Sequence, residues 1–194
     1  MGLNLEVISP GLRARATQAF EARDVLGFLC YADNHNALAL VFDNSYSLRE
    51  RGMYEKALLE AYSGTRTNHH HWSPDTLRFM FDRADRARLR AAGDPFPHKG
   101  PFTLYRGVAG VGRARRLRGL SWTASLERAW WFARRFPKIA NPKVFRVSVA
   151  VEDVLAYIND HYRKEGEFLV LLPKTTKPVK VSAPKEAPGL VLAY

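Results

Sequence analysis

Gly93-Asp94-Pro95-Phe96-Pro97-His98-Lys99-Gly100-Pro101 divides the chain into two textures. Three prolines and two glycines in nine residues remove backbone donors and restrict φ, so neither a helix nor a central strand continues through them. Before this stretch apolar residues recur at helical intervals. After it they alternate, as in strands. The reading that follows is an α+β protein, with a helical N-terminal region over 1–98 and a β-rich region over 99–194.

Working back from the break, Ser73-Pro74-Asp75 has the form of a helix start: an N-cap serine, proline at the first helical position and an acid in the first turn. The helix it opens places Leu77, Phe81, Ala84 and Leu89 on one side and ends near Gly93. Further upstream, Leu48, Tyr54, Leu58 and Tyr62 recur at one or two helical turns, and Gly64 supplies a stop. Leu12 to Asp24 is helical in pattern. Val25 to Phe42 continues it, interrupted by the polar run Asp33-Asn34-His35-Asn36.

Working forward, Phe102-Thr103-Leu104-Tyr105-Arg106 alternates and carries strand formers, and Gly119 to Thr123 is a second short strand. Glu127 to Phe136 reads as a helix. Val144 to Val149 alternates as a half-buried strand, whereas Phe168 to Leu172 is a continuous apolar run suited to a buried one. Short strands are also expected around Val179-Lys180-Val181 and Leu190-Val191-Leu192.

The chain has 194 residues, 46% of them hydrophobic, enough for a real core in one domain or a domain with a helical extension. No apolar run is long enough to span a membrane, and Met1 to Pro10 lacks the parts of a secretory signal, so a cytoplasmic location without membrane attachment is expected. Cys30 is the only cysteine, which excludes an internal disulfide and a cysteine-based zinc site; between Phe28 and Tyr31 it reads as a small buried apolar residue.

The net charge of +11 is unevenly placed. Residues 1–98 carry 12 Lys+Arg against 12 Asp+Glu, and residues 99–194 carry 18 against 7. Arg106 to Arg146 holds eleven cationic side chains opposed only by Glu127. Such a field draws a pyrophosphate, a nucleic acid or an acidic protein surface, or else serves as a solvated face. For the run Arg113-Ala114-Arg115-Arg116-Leu117-Arg118, expected in a loop between strands, three readings stand: contact with nucleic-acid phosphates, contact with a bound dinucleotide, or neither. Gly107, Gly110 and Gly112 are not a dinucleotide fingerprint, because an Arg-rich run follows them instead of a helix. His69-His70-His71 reads as exposed loop, since consecutive side chains do not converge on one metal ion.

Three segments combine into a candidate site: Tyr105-Arg106-Gly107, Ser121-Trp122-Thr123 and Glu165-Gly166-Glu167. Their order and spacing resemble the arginine–serine–glutamate branch of the ADP-ribosyltransferases, which includes bacterial toxins and vertebrate arginine-specific ecto-enzymes. There a strand arginine is followed by a serine-threonine-serine motif and then a Glu-x-Glu pair. Ala129-Trp130-Trp131-Phe132-Ala133 follows Ser121 at the distance of that family's Ala-x-x-Phe helix, and Trp122 departs from the motif's threonine. The resemblance covers about residues 102–173 and implies a mixed β core of two small sheets with NAD in the cleft between them, no metal being required.

The implied chemistry is cleavage of the nicotinamide–ribose bond, which develops oxocarbenium character and calls for a carboxylate beside the ribose. The resemblance gives Glu167 that task, gives Glu165 the orientation or deprotonation of the nucleophile, and has Ser121 hydrogen-bond Glu167 and the nicotinamide ribose. Two residues apart, the carboxylates share a face if the pair is extended, and their proximity pushes one pKa upward. Arg106 would meet the NAD phosphate, Gly107 main chain the nicotinamide amide, and Thr123 would keep a hydroxyl at the motif's last position. Phe136 or Trp131 would lie against the nicotinamide ring. Tyr157, His161 and Tyr162 fall where the family carries its target-recognition loop. Glutamate at the first position of the pair resembles enzymes that modify arginine, so a host protein is the favoured acceptor, with nucleic acid as another. The rivals are an NAD glycohydrolase and a non-catalytic basic binding module. In general appearance the chain resembles phage or prophage products, toxins of toxin–antitoxin pairs and effectors.

Overall fold

The computed structural model describes residues 2–64, 71–159 and 166–182. The chain forms two compact units, Met1–Gly93 and Asp94–Tyr194, parting at the first residue of the breaker-rich stretch. Among the described residues there are eight α-helices and six strands, an α+β composition.

The first unit is helical: α1 (Arg13–Glu21), α2 (Val25–Cys30), α3 (Ala37–Asp43), α4 (Ser45–Glu50), α5 (Tyr54–Gly64), α6 (Pro74–Asp82) and α7 (Arg86–Ala92). Side-chain caps set several of the starts. Asp24 accepts from the Gly27 N–H at 2.9 Å, Ser73 from the Thr76 N–H at 3.0 Å and Asp85 from the Arg88 N–H at 2.9 Å. The single helix expected from Ser73 to near Gly93 is therefore two. Asp85 accepts as the N-cap of α7, and its own N–H donates to the buried Glu55 carboxylate at 3.0 Å, which stops α6 at Asp82. Phe28, Leu38, Leu40, Leu58, Met80 and Leu89 form part of the buried interior, with Tyr54 among them. The Tyr54 hydroxyl donates to the Met80 carbonyl at 2.9 Å, and burial raises its pKa above 10.0. Cys30 contradicts its expected burial. The short α2 turns Val25, Phe28 and Leu29 inward, leaving Cys30 exposed with its Sγ donating to the Gly27 carbonyl at 3.1 Å.

The second unit contains β1 (Phe102–Val108), β2 (Ser121–Thr123), α8 (Leu126–Arg134), β3 (Lys143–Val149), β4 (Val154–Ile158), β5 (Glu167–Val170) and β6 (Val179–Val181). The strands form one six-stranded sheet in the order β4-β5-β2-β1-β3-β6, with every neighbouring pair antiparallel. The expectation of two small sheets is corrected: β1 and β2 are joined. Their join is narrow, however, with Tyr105 opposite Thr123 as its sole register pair, whereas β1 and β3 match over seven residues. Two three-stranded groups thus meet at one point of the sheet.

Alternation assigns the faces. Phe102, Leu104, Trp122, Val147, Val149 and Phe168 pack into one apolar cluster, joined by Val154, Val170 and Leu172. The opposite face takes α8, whose Ala129, Trp130 and Ala133 pack with Val144 and the half-buried Tyr105. A Cβ on Gly107 would come within 1.8 Å of the Ala129 carbonyl oxygen, so only glycine lets the helix lie this close to β1. β4 is absent from the sequence reading. Its Val-Leu-Ala-Tyr-Ile run does not alternate, and a register shift between Val154 and Ala156 explains why. The strand expected at Leu190-Val191-Leu192 lies outside the described residues.

Candidate functional site

The strand order β5-β2-β1 brings Glu167, the Ser121-Trp122-Thr123 segment and Arg106 onto three adjacent central strands. Thr123 stands opposite Glu167 across β2 and β5, and opposite Tyr105 across β2 and β1. Directly opposed residues of an antiparallel pair share a face, so Glu167, Thr123 and, two residues along, Ser121 are on the face that carries α8. Glu167 and Ser121 are half-buried and Thr123 is buried, so a carboxylate and a hydroxyl lie near one another in partly dehydrated surroundings. Thr123 has a structural task as well: its Oγ1 accepts from the Ser125 N–H at 3.2 Å, and Ser125 in turn caps α8 through the Arg128 N–H at 3.1 Å.

Arg106 alternates with Tyr105 and Gly107, so it starts from the other face of β1 and meets this group only through main chain. The Val170 N–H donates to the Leu120 carbonyl at 2.9 Å, so the Leu120 carbonyl turns toward β5 and, by the alternation of an antiparallel ladder, the Ser121 carbonyl turns toward β1. The Arg106 guanidinium meets it there, donating NH1 to the Ser121 carbonyl and Nε to the Arg116 carbonyl at 3.1 Å. Gly119 makes room for the guanidinium, since a Cβ there would stand 2.2 Å from NH2. Arg106 is thus held on the two main-chain segments that lead into β2. Gly107 follows it on the helix side, where its missing side chain admits α8.

No protein-family model, curated protein or solved structure matches the chain.

Tyr157 belongs to β4 and not to a loop. Its half-buried ring lies 4.7 Å from that of Phe168, and its carbonyl accepts from the Asp94 N–H at 2.8 Å. Burial, with a smaller contribution from the Asp94 carboxylate, raises its pKa above 10.0. Phe136 is 43% exposed just beyond α8, with the Arg135 guanidinium over its ring. Of the two tryptophans on α8, Trp130 is buried and Trp131 half-buried. Glu165, His161 and Tyr162 lie outside the described residues. So do His69 and His70, and no metal-binding group of side chains occurs among the described residues.

The Arg-rich run has a use that sequence reasoning missed. Arg115 donates Nε and NH2 to the Gly110 carbonyl at 3.0 and 2.6 Å. Arg118 donates NH1 to the Thr176 carbonyl at 3.1 Å and NH2 to the carbonyls of Leu172, at 3.4 Å, and Pro173. Arg118 therefore ties the loop before β2 to the segment after β5, and Arg106 ties the same loop to β1. The signal was an arginine-rich loop flanked by glycines. Its acceptors are carbonyls distant in sequence, which no local pattern announces.

Proposed function

We propose that the Asp94–Tyr194 unit is a mono-ADP-ribosyltransferase that moves ADP-ribose from NAD to a macromolecular acceptor and releases nicotinamide. What supports this reading is that Glu167, Thr123 and Ser121 share one face of β5 and β2, with Arg106 of the neighbouring β1 hydrogen-bonded to the Ser121 carbonyl. A carboxylate beside a hydroxyl suits the reaction: as the nicotinamide–ribose C–N bond breaks, positive charge develops on the ribose, and Glu167 stabilises it. Ser121 orients that carboxylate and the ribose. Arg106, a planar cationic donor, attracts the pyrophosphate. The bond that forms joins the ribose carbon to the acceptor nucleophile, whose proton passes to Glu165 in the resemblance's assignment. A protein arginine is the leading acceptor on that assignment, and water in its place gives an NAD glycohydrolase.

A catalytically idle binding module on the same fold is favoured by one observation: Arg106 donates to two main-chain carbonyls, so its guanidinium has a structural use without NAD. One assay separates these readings. Purified protein and its Glu167→Gln variant are incubated with labelled NAD and a bacterial lysate, and free nicotinamide is followed alongside label on protein and on nucleic acid. The transferase reading expects nicotinamide release with label on a polymer, both reduced at least about a hundredfold by Glu167→Gln. Release without label makes the chain a glycohydrolase. Intact NAD in several lysates rejects the enzyme.

A further inference from the structure

Arg106, Arg115 and Arg118 direct their guanidinium groups into carbonyls of their own unit. At the far end of α8 the cationic side chains are arranged otherwise. The helix buries Ala129, Trp130 and Ala133, half-buries Trp131, and leaves every residue from Arg134 to Ala140 exposed. The Arg135 guanidinium lies 5.3 Å from the Trp131 ring centroid and 5.6 Å from that of Phe136, so one planar cation serves two aromatic rings. Arg134 lies 5.0 Å from the ring of Trp130. The turn that follows is tied down: the Ile139 N–H donates to the Phe136 carbonyl at 2.9 Å, and the Gly110 N–H to the Ala140 carbonyl at 2.7 Å. Phe136 is therefore displayed to solvent from a hydrogen-bonded turn. Between Arg128 and Arg146 there are six cationic side chains and no acidic one.

An exposed aromatic ring beside stacked guanidiniums, in a field of one sign, matches a polymer that offers flat bases and phosphates together. Single-stranded nucleic acid does so, whereas a duplex keeps its bases stacked inside. An anionic lipid surface also satisfies the charges and accepts an exposed apolar ring, but it offers no flat π-face to stack on a ring and its guanidinium. We propose that Trp131, Arg134, Arg135, Phe136 and Lys138 form a binding surface for single-stranded nucleic acid, with a base stacking on Phe136 and phosphates meeting the cations. This inference does not rest on the NAD reading.

The test is fluorescence anisotropy of the full chain with a labelled single strand of about 20 nucleotides, the matching duplex and phosphatidylserine vesicles as separate probes. The single strand is expected to bind more tightly than the duplex, with the logarithm of the affinity falling linearly against the logarithm of salt concentration. Phe136→Ala weakens binding about 5- to 100-fold and Phe136→Trp preserves it, while Arg135→Gln with Lys138→Gln lowers the salt slope by about 1.4. Glu167→Gln binds as the wild type does, which separates nucleic-acid binding from the work of that carboxylate. No binding at low salt, equal binding by Phe136→Ala, loss in Phe136→Trp, preference for the duplex, or capture by vesicles in place of the oligonucleotide would each overturn the proposal.

Discussion

In the group β1-β3-β6, the first two strands match residue for residue from Phe102 opposite Val149 to Val108 opposite Lys143. The group β4-β5-β2 is shorter and less regular: β2 has three residues, and β4 shifts register between Val154 and Ala156. The long pair is a scaffold whose inward residues, Phe102, Leu104, Val147 and Val149, are almost wholly buried. The irregular group contributes the hydroxyls and the carboxylate. Where the two meet, ladder pairing dwindles to Tyr105 opposite Thr123, and Arg106 supplies side-chain hydrogen bonds beyond it. A sheet can thus be continuous and still hold a seam, where an arginine takes up main-chain carbonyls that the ladder leaves to be satisfied.

The largest expected effect breaks the scaffold side. Gly107→Ala would drive a Cβ against the Ala129 carbonyl and the Ala133 amide, 1.8 and 2.7 Å away, forcing α8 off β1. A loss of about 3 kcal/mol in urea unfolding is expected. A wild-type midpoint would mean that α8 shifts without cost.

A smaller effect sharpens the seam. Arg106→Lys replaces a fork that holds the Ser121 and Arg116 carbonyls with a point charge, and is expected to cost about 1–3 kcal/mol. Measured under conditions where the variant remains folded, NAD affinity decides what else Arg106 does. A marked loss joins its structural role to phosphate recognition, and an unchanged affinity confines it to the seam.

Local chemistry made much of the fold legible. Ser73-Pro74-Asp75 declares α6, the alternation from Val144 to Val149 declares β3, and the apolar pattern after Ser125 declares α8. The rest depends on partners distant in sequence. β4 lacks alternation because both its position and its bulge follow from pairing with β5. The join of β1 to β2, which makes one sheet of the expected two, rests on residues 18 apart, Tyr105 and Thr123. Asp85 reads as an ordinary helix residue until Glu55 is seen to accept from its N–H. For the candidate site, the motifs Tyr105-Arg106-Gly107 and Ser121-Trp122-Thr123 were visible as sequence, and the adjacency of β5, β2 and β1 was not. Glycine at 107 was anticipated for approach by a ligand, whereas the group in contact is α8.

The most direct test of the account is amide hydrogen exchange with and without NAD, read peptide by peptide. Slower exchange in Phe102–Val108, Ser121–Thr123 and Glu167–Val170 is predicted, with the helical unit Met1–Gly93 unchanged. Absence of protection at saturating NAD, or protection confined to Met1–Gly93, would contradict it.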